Sequence, residues 1–289
     1  MPKSCWLNGE TVPVSAATIS PADRGFLFGD GLFETLRGRA GRACLAEEHL
    51  ARLRSSAEFF KLPLPYSDLA LTGAMETLLA RNGLPEARIK LLVSRGRHAG
   101  NLGLPAGGEP TVLITTEALP PNLGEIQQHG VRLAISPVVM PRNWLLARHK
   151  TLNRLPYLLA REQAQAVGAY DALLFDEQSQ VAETTTANLF LVRGGGLYTP
   201  PLEAPILPGV TRAAVLEMAR EKGLRVREKD FPLYTVFESE EVFLTGAVAE
   251  LVPVLQVENS LAGSGRPGPV TRELQAAFPE WARSKARAG

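Results

Sequence analysis

The stretch Arg148-His149-Lys150-Thr151-Leu152-Asn153-Arg154-Leu155 decides how this chain is read, together with Val181-Ala182-Glu183 further on. The two lie about thirty residues apart, the length of a strand–helix–strand unit. A lone lysine is ordinarily a solvated cation, and a lone glutamate an ordinary strand end. As a pair they answer one specific need: an amine that condenses with an aldehyde, and a carboxylate that faces a protonated ring nitrogen.

Outward from that pair, the local patterns alternate between strand and helix. A helix is predicted from about Asn153 to Val167, with Asn153 as N-cap and Pro156 in the first turn. Tyr170–Phe175 and Val181–Val192 read as strands around the polar turn Asp176-Glu177-Gln178-Ser179. Thr211–Lys222 reads as a helix ended by Gly223, and Glu241–Leu244 as a short strand. Upstream, Asn8-Gly9 between apolar runs predicts a hairpin, because both residues tolerate positive φ. Gly31–Arg37 and Arg42–Leu45 form a second strand pair. Glu47–Phe60 is helical, with Leu50, Leu53, Ala57 and Phe60 as its buried stripe and His49, Arg52 and Ser56 beside it. Ser67–Arg81 is another helix, Ile89–Ser94 and Thr111–Thr115 are buried strands, and Arg97–Pro110 is a loop rich in Gly and Pro. The run Glu117 to Gly124, with Pro120-Pro121 at its centre, marks the domain boundary. The expectation is two α/β domains with mixed sheets: 1–118, a linker at 119–128, and 129–289, the domain that carries Lys150.

Bulk properties exclude several classes. With 289 residues, 45% hydrophobic and 21% charged, the chain has an ordinary globular composition. A net charge of +1 supplies no field for nucleic acid or an anionic membrane. Cys5 and Cys44 are too few for a disulfide framework, and no apolar run approaches membrane-spanning length, so a soluble cytoplasmic protein is expected. The four histidines and two cysteines lack metal-ligand spacing, so no metal is expected. Gly29-Asp30-Gly31 precedes a strand rather than a helix and is not a dinucleotide fingerprint. The tail Arg283-Ser284-Lys285-Ala286-Arg287 reads as a solvated end.

Five ordered segments resemble the fold-type IV pyridoxal 5'-phosphate (PLP) enzymes, the class IV aminotransferases and their lyase relatives. They are Arg24-Gly25 through Gly29-Asp30-Gly31-Leu32-Phe33-Glu34-Thr35; His49-Leu50-Ala51-Arg52-Leu53; the Lys150 and Glu183 segments; Ile206-Leu207-Pro208-Gly209-Val210-Thr211-Arg212; and Thr245 through Glu250. The resemblance implies the two-domain fold of that group, PLP as cofactor and a homodimer acting on a small amino substrate. It implies Lys150 as the catalytic residue and the one covalently joined to PLP, and Glu183 at the pyridine nitrogen. Val210 and Thr211, at a helix start, are implied for the phosphate, as are the small-residue turn at Ala247 and the guanidinium of Arg52. Phe33, Arg97 and Val248 are implied for the substrate.

Three activities compete within the group. Leu152-Asn153-Arg154-Leu155 after the lysine is most similar to 4-amino-4-deoxychorismate lyase, which eliminates pyruvate to give 4-aminobenzoate. The Gly-Asn-Tyr that branched-chain aminotransferases usually carry there is absent. The lyases and D-amino acid transaminases present a further arginine where this chain has Gly100-Asn101-Leu102, and Phe33 replaces the tyrosine of the latter. Arg97 could supply the missing charge. The lyase is therefore the first expectation and an aminotransferase the second. A silent binding protein on the same fold is a third class, against which the retention of Lys150 and Glu183 speaks.

Overall fold

The structure is a computed structural model that describes residues 3–98, 102–104 and 108–288. The chain divides into two compact units. The first holds residues up to Leu119 together with His149–Asn153; the second holds Pro120–Arg148 and Arg154–Ala288, so Lys150, expected in the second domain, belongs to the first because its backbone pairs with residues 31–33. Among the described residues, no helix is long and apolar enough to cross a membrane.

The first unit contains β1 (Ser4–Leu7), β2 (Glu10–Pro13), α1 (Arg24–Phe28), β3 (Gly31–Arg39), β4 (Arg42–Ala43), α2 (Ala46–Phe59), α3 (Asp68–Asn82), β5 (Ala87–Ser94) and β6 (Thr111–Ala118). Its strands form one sheet in the order β2-β1-β6-β5-β3-β4, and every pairing in it is antiparallel. Asn8 and Gly9 turn the first hairpin with φ of 50° and 100°, a conformation both residue types tolerate. Leu36, Ile89, Leu91 and Ile114 line the inner face of the sheet. Helices α2 and α3 cover them with Leu50, Leu53, Leu71, Met75 and Leu78, all buried. Ser67 caps α3 by accepting from Ala70 N at 3.2 Å.

One edge of β3 is taken by the segment that carries the lysine. Phe33 N donates to Lys150 O at 2.8 Å, and Leu152 N donates to Gly31 O at 3.0 Å, so residues 150–152 run along β3 as a short strap. His149 anchors the strap on α2: its ring stacks on Phe59 at 4.6 Å between centroids, and its Nδ1 lies 2.9 Å from Ser56 Oγ. Asn153 closes the other end, Nδ2 donating to Gly29 O at 2.9 Å.

The second unit contains α4 (Leu123–His129), β7 (Val131–Met140), α5 (Leu155–Ala166), β8 (Asp171–Asp176), β9 (Val181–Thr184), β10 (Asn188–Arg193), β11 (Gly196–Thr199), α6 (Val210–Glu221), β12 (Arg225–Glu228), α7 (Leu233–Phe237), β13 (Glu241–Gly246), β14 (Glu250–Val257), β15 (Ser260–Leu261) and α8 (Pro269–Ala288). Its sheet is mixed, with β7 parallel to both β8 and β14. Strands β10-β13-β14-β7-β8-β9 follow one another, and β9 meets β10 again at Glu183 opposite Asn188, which closes the ring. Leu133, Leu173, Leu189, Leu191, Val242, Leu244 and Val252 fill it.

Three local expectations change. The stretch 119–128, expected as a linker, is helical from Leu123, because Leu123 is buried and Ile126 packs on the core once Pro120-Pro121 has turned the chain. Val181–Val192 is two strands, since Thr184 N turns back to Ala187 O at 2.8 Å. The N-cap of α5 is Arg154, as the Asn153 side chain is spent on Gly29. The basic tail is solvated as expected, with Arg283 and Ser284 exposed, and it continues α8, whose Leu274, Phe278 and Ala282 are buried.

A Cβ on Gly31 would lie 2.5 Å from Val93 O and 2.7 Å from Leu152 Cδ1. Gly31→Ala is therefore expected to destabilise the protein by about 1–3 kcal/mol and to loosen the strap. Urea unfolding, with limited proteolysis around residue 150, checks both effects.

Candidate active site

In the first unit the site is built on β3. Its alternation puts Leu32, Glu34 and Leu36 on the buried face, and Phe33, Thr35 and Arg37 on the other. Glu34 is 1% exposed, and a carboxylate so placed must be paired. Arg52 supplies a two-pronged pair, Nε to Oε1 at 2.8 Å and Nη2 to Oε2 at 2.6 Å. His49 Nδ1 lies 2.8 Å from Oε2. Both partners come from the polar stripe of α2, three residues apart on one face. Burial would raise the Glu34 carboxyl, but the Arg52 charge and the His49 hydrogen bond overcome it and hold the group at about 2. Burial pushes the His49 imidazole down, against the pull of Glu34, with the Arg52 and Lys150 charges adding to the push. The Lys150 Nζ sits 4.5 Å from the centre of the Phe33 ring, a cation–π distance.

In the second unit the site is built where β9 meets β10. Glu183 is 4% exposed, and its Oε2 accepts from Asn188 Nδ2 at 3.1 Å and from Leu207 N at 3.0 Å. The threonine turn after it is pinned from below. Thr185 Oγ1 donates to Asp171 Oδ1 at 2.5 Å and Thr186 Oγ1 to Asp171 Oδ2 at 2.9 Å. Arg154 Nη2 donates to Thr185 O at 2.9 Å, and its guanidinium lies over the Tyr157 ring at 3.4 Å. Burial, and then the Glu183 charge, push the Tyr157 phenol above its ordinary range. Further along, Gly209 caps α6, and no side chain caps that helix start. Its first backbone N–H groups and the helix dipole form the donor set that a phosphate ester requires. A buried oriented carboxylate and a helix start without a side-chain cap are groups of the kind that the ring nitrogen and the phosphate of PLP require.

The sequence-predicted residues fall as follows. Lys150, Arg52 and Phe33 lie in the first unit; Glu183, Val210, Thr211, Ala247 and Val248 lie in the second. Val210 and Thr211 are buried at the start of α6, and Ala247 and Val248 are half-buried in the turn after β13. Arg97 is exposed and bridges Asp23 through its backbone. Gly100 and Asn101 lie outside the described residues. Sequence reasoning missed Glu34 as the partner of Arg52, although a glutamate at the buried parity of Leu32 and Leu36 was a signal. It also missed Asn188, which reads as an ordinary polar strand start.

The Glu34 carboxyl gives a signed pH prediction. Held at about 2 against an ordinary 4.5, it contributes stability that is present above the ordinary value and lost as pH falls toward the lower one. Glu34→Gln is expected to cost about 3–5 kcal/mol at neutral pH, because Arg52 loses a buried partner. The gap between wild type and variant should narrow as pH falls through that window, as measured by urea unfolding at several pH values.

Comparison with known proteins identifies the family. Residues 31–257 match the family model of class IV amino-transferases. The D-alanine aminotransferase of Bacillus licheniformis is 33% identical over 271 residues, 94% of each chain. The branched-chain amino acid aminotransferase of Escherichia coli superposes with a TM-score of 0.92 at 30% identity, covering 97% of this chain and 94% of that one. The 4-amino-4-deoxychorismate lyase of Pseudomonas aeruginosa superposes with a TM-score of 0.82 at 32% identity, covering 96% and 98%. The chain belongs to the class IV amino-transferases, enzymes that depend on PLP.

Proposed function

We propose that this protein transfers an amino group between an α-amino acid and a 2-oxo acid. The observation that carries this reading concerns the residues behind the lyase resemblance. Asn153 is spent on Gly29 O and Arg154 on Thr185 O and the Tyr157 ring. Both serve the fold, so their presence does not argue for elimination over transfer. The aminotransferase relatives, matched over nearly the whole length, support transfer. The lyase is the second reading, favoured by the Pseudomonas aeruginosa structure.

Bound PLP supplies an aldehyde for the substrate amine and a ring that takes up the electron pair released at the reacting carbon. Lys150 supplies the amine that holds the cofactor and moves a proton at the reacting carbon. Glu183 keeps a negative charge for the ring N–H, which favours the protonated ring. The N–H groups of Val210 and Thr211 bind the phosphate, the turn at Ala247 lets backbone approach it, and Arg52, locked by Glu34, adds fixed positive charge. Phe33 gives the substrate side an apolar wall, with Val248 as a second contact. The substrate carboxylate needs a cation, and two exposed side chains are candidates: Arg97, and Lys90, whose Nζ lies 5.1 Å from the centre of the Phe33 ring. A soluble homodimer in the cytoplasm is part of the same proposal.

The test is a substrate comparison. L-leucine and D-alanine are offered separately with 2-oxoglutarate, and aminodeoxychorismate without any oxo acid. Transfer predicts a new oxo acid from at least one amino acid, dependent on 2-oxoglutarate, with turnover falling by orders of magnitude in Glu183→Gln. Release of pyruvate and 4-aminobenzoate without an oxo acid, and no transfer, would establish the lyase instead.

A further inference from the structure

We infer that Asn188 is a positioning residue that sets the Glu183 carboxylate and the turn ahead of α6 as one unit. The inference rests on the assignment of Glu183 to the ring nitrogen and of the α6 start to the phosphate.

Asn188 opens β10 directly opposite Glu183, at the pairing that closes the strand ring. Side chains directly opposite one another share a face of the sheet. The Asn188 Nδ2 carries two N–H donors, and both have acceptors: Glu183 Oε2 at 3.1 Å and Leu207 O at 2.9 Å. The N–H of Leu207 returns to the same Glu183 oxygen at 3.0 Å. Glu183, Asn188 and Leu207 therefore form a closed triangle, with Asn188 4% exposed.

The other side of the amide fixes the helix start. A Cβ on Gly209 would overlap Asn188 Oδ1, so the amide and the cap of α6 are in direct packing contact. Rotation of this one side chain would disturb both Glu183 and the chain leading into α6. An aspartate in its place would lack the two donors and set a second negative charge against Glu183.

The experiment compares wild type, Asn188→Ala, Glu183→Gln, the double variant and Gly209→Ala. Two quantities are read: PLP affinity of the cofactor-free protein by fluorescence titration, and the pH midpoint of the visible band of the holoenzyme. Asn188→Ala should weaken PLP binding about tenfold to a hundredfold, the size of a lost hydrogen bond to a charged group. It should also move the pH midpoint in the same direction as Glu183→Gln, with the double variant moving it no further than Glu183→Gln alone. Gly209→Ala, which pushes the amide from its other side, should move the midpoint likewise and serves if Asn188→Ala does not fold. A wild-type midpoint in Asn188→Ala or in Gly209→Ala, or additive shifts in the double variant, would overturn the inference. An unmoved midpoint in Glu183→Gln would overturn the ring-nitrogen assignment itself, and the inference with it.

Discussion

The pairing of the Lys150 strap with the edge of β3 is the constraint on which the account depends. A lysine amine rides on a flexible four-carbon stem and is only as well placed as the backbone beneath it. Here the backbone is fixed by Phe33 N to Lys150 O and Leu152 N to Gly31 O, and its ends by His149 on α2 and Asn153 on Gly29. The same strand presents Glu34 to α2 on its buried face. One strand therefore orders both the amine and the Arg52 guanidinium.

Two buried carboxylates divide the remaining work. Glu34 is charge-paired within the protein by Arg52 and hydrogen-bonded to His49, and it holds a cation in place. Glu183 is oriented by two neutral donors, the Asn188 amide and the Leu207 peptide N–H. Both donors converge on one oxygen of the carboxylate, which fixes its orientation. The first carboxylate ties α2 to β3, and the second ties β9 to β10 and to the chain leading into α6.

Part of this was legible in the sequence through short ordered motifs. Lys150, Glu183, the Gly209-Val210-Thr211 helix start and the His49–Arg52 spacing were marked by their family resemblance, and the structure puts Lys150 on a strap paired with β3, Glu183 beside Asn188 and Val210 at the start of α6. What was not legible depends on long-range pairing. Glu34 meets Arg52 from another element, eighteen residues on, and Asn188 matters through its contact with Leu207, which no local pattern reveals. Asn153 looked like a helix cap because its residue type favours one, yet tertiary contact with Gly29 won. The stretch 119–128 looked like a linker because of its prolines, yet Leu123 and Ile126 had a core to join.

The central claim is that Lys150 is the amine that carries the cofactor. Borohydride reduction of the PLP-loaded protein, followed by peptide mapping, tests it most directly, since Lys90 also lies against Phe33 and offers a competing amine. The reduced adduct is expected on the peptide containing Lys150 and none on that containing Lys90. An adduct on Lys90, or on any lysine other than Lys150, would contradict it.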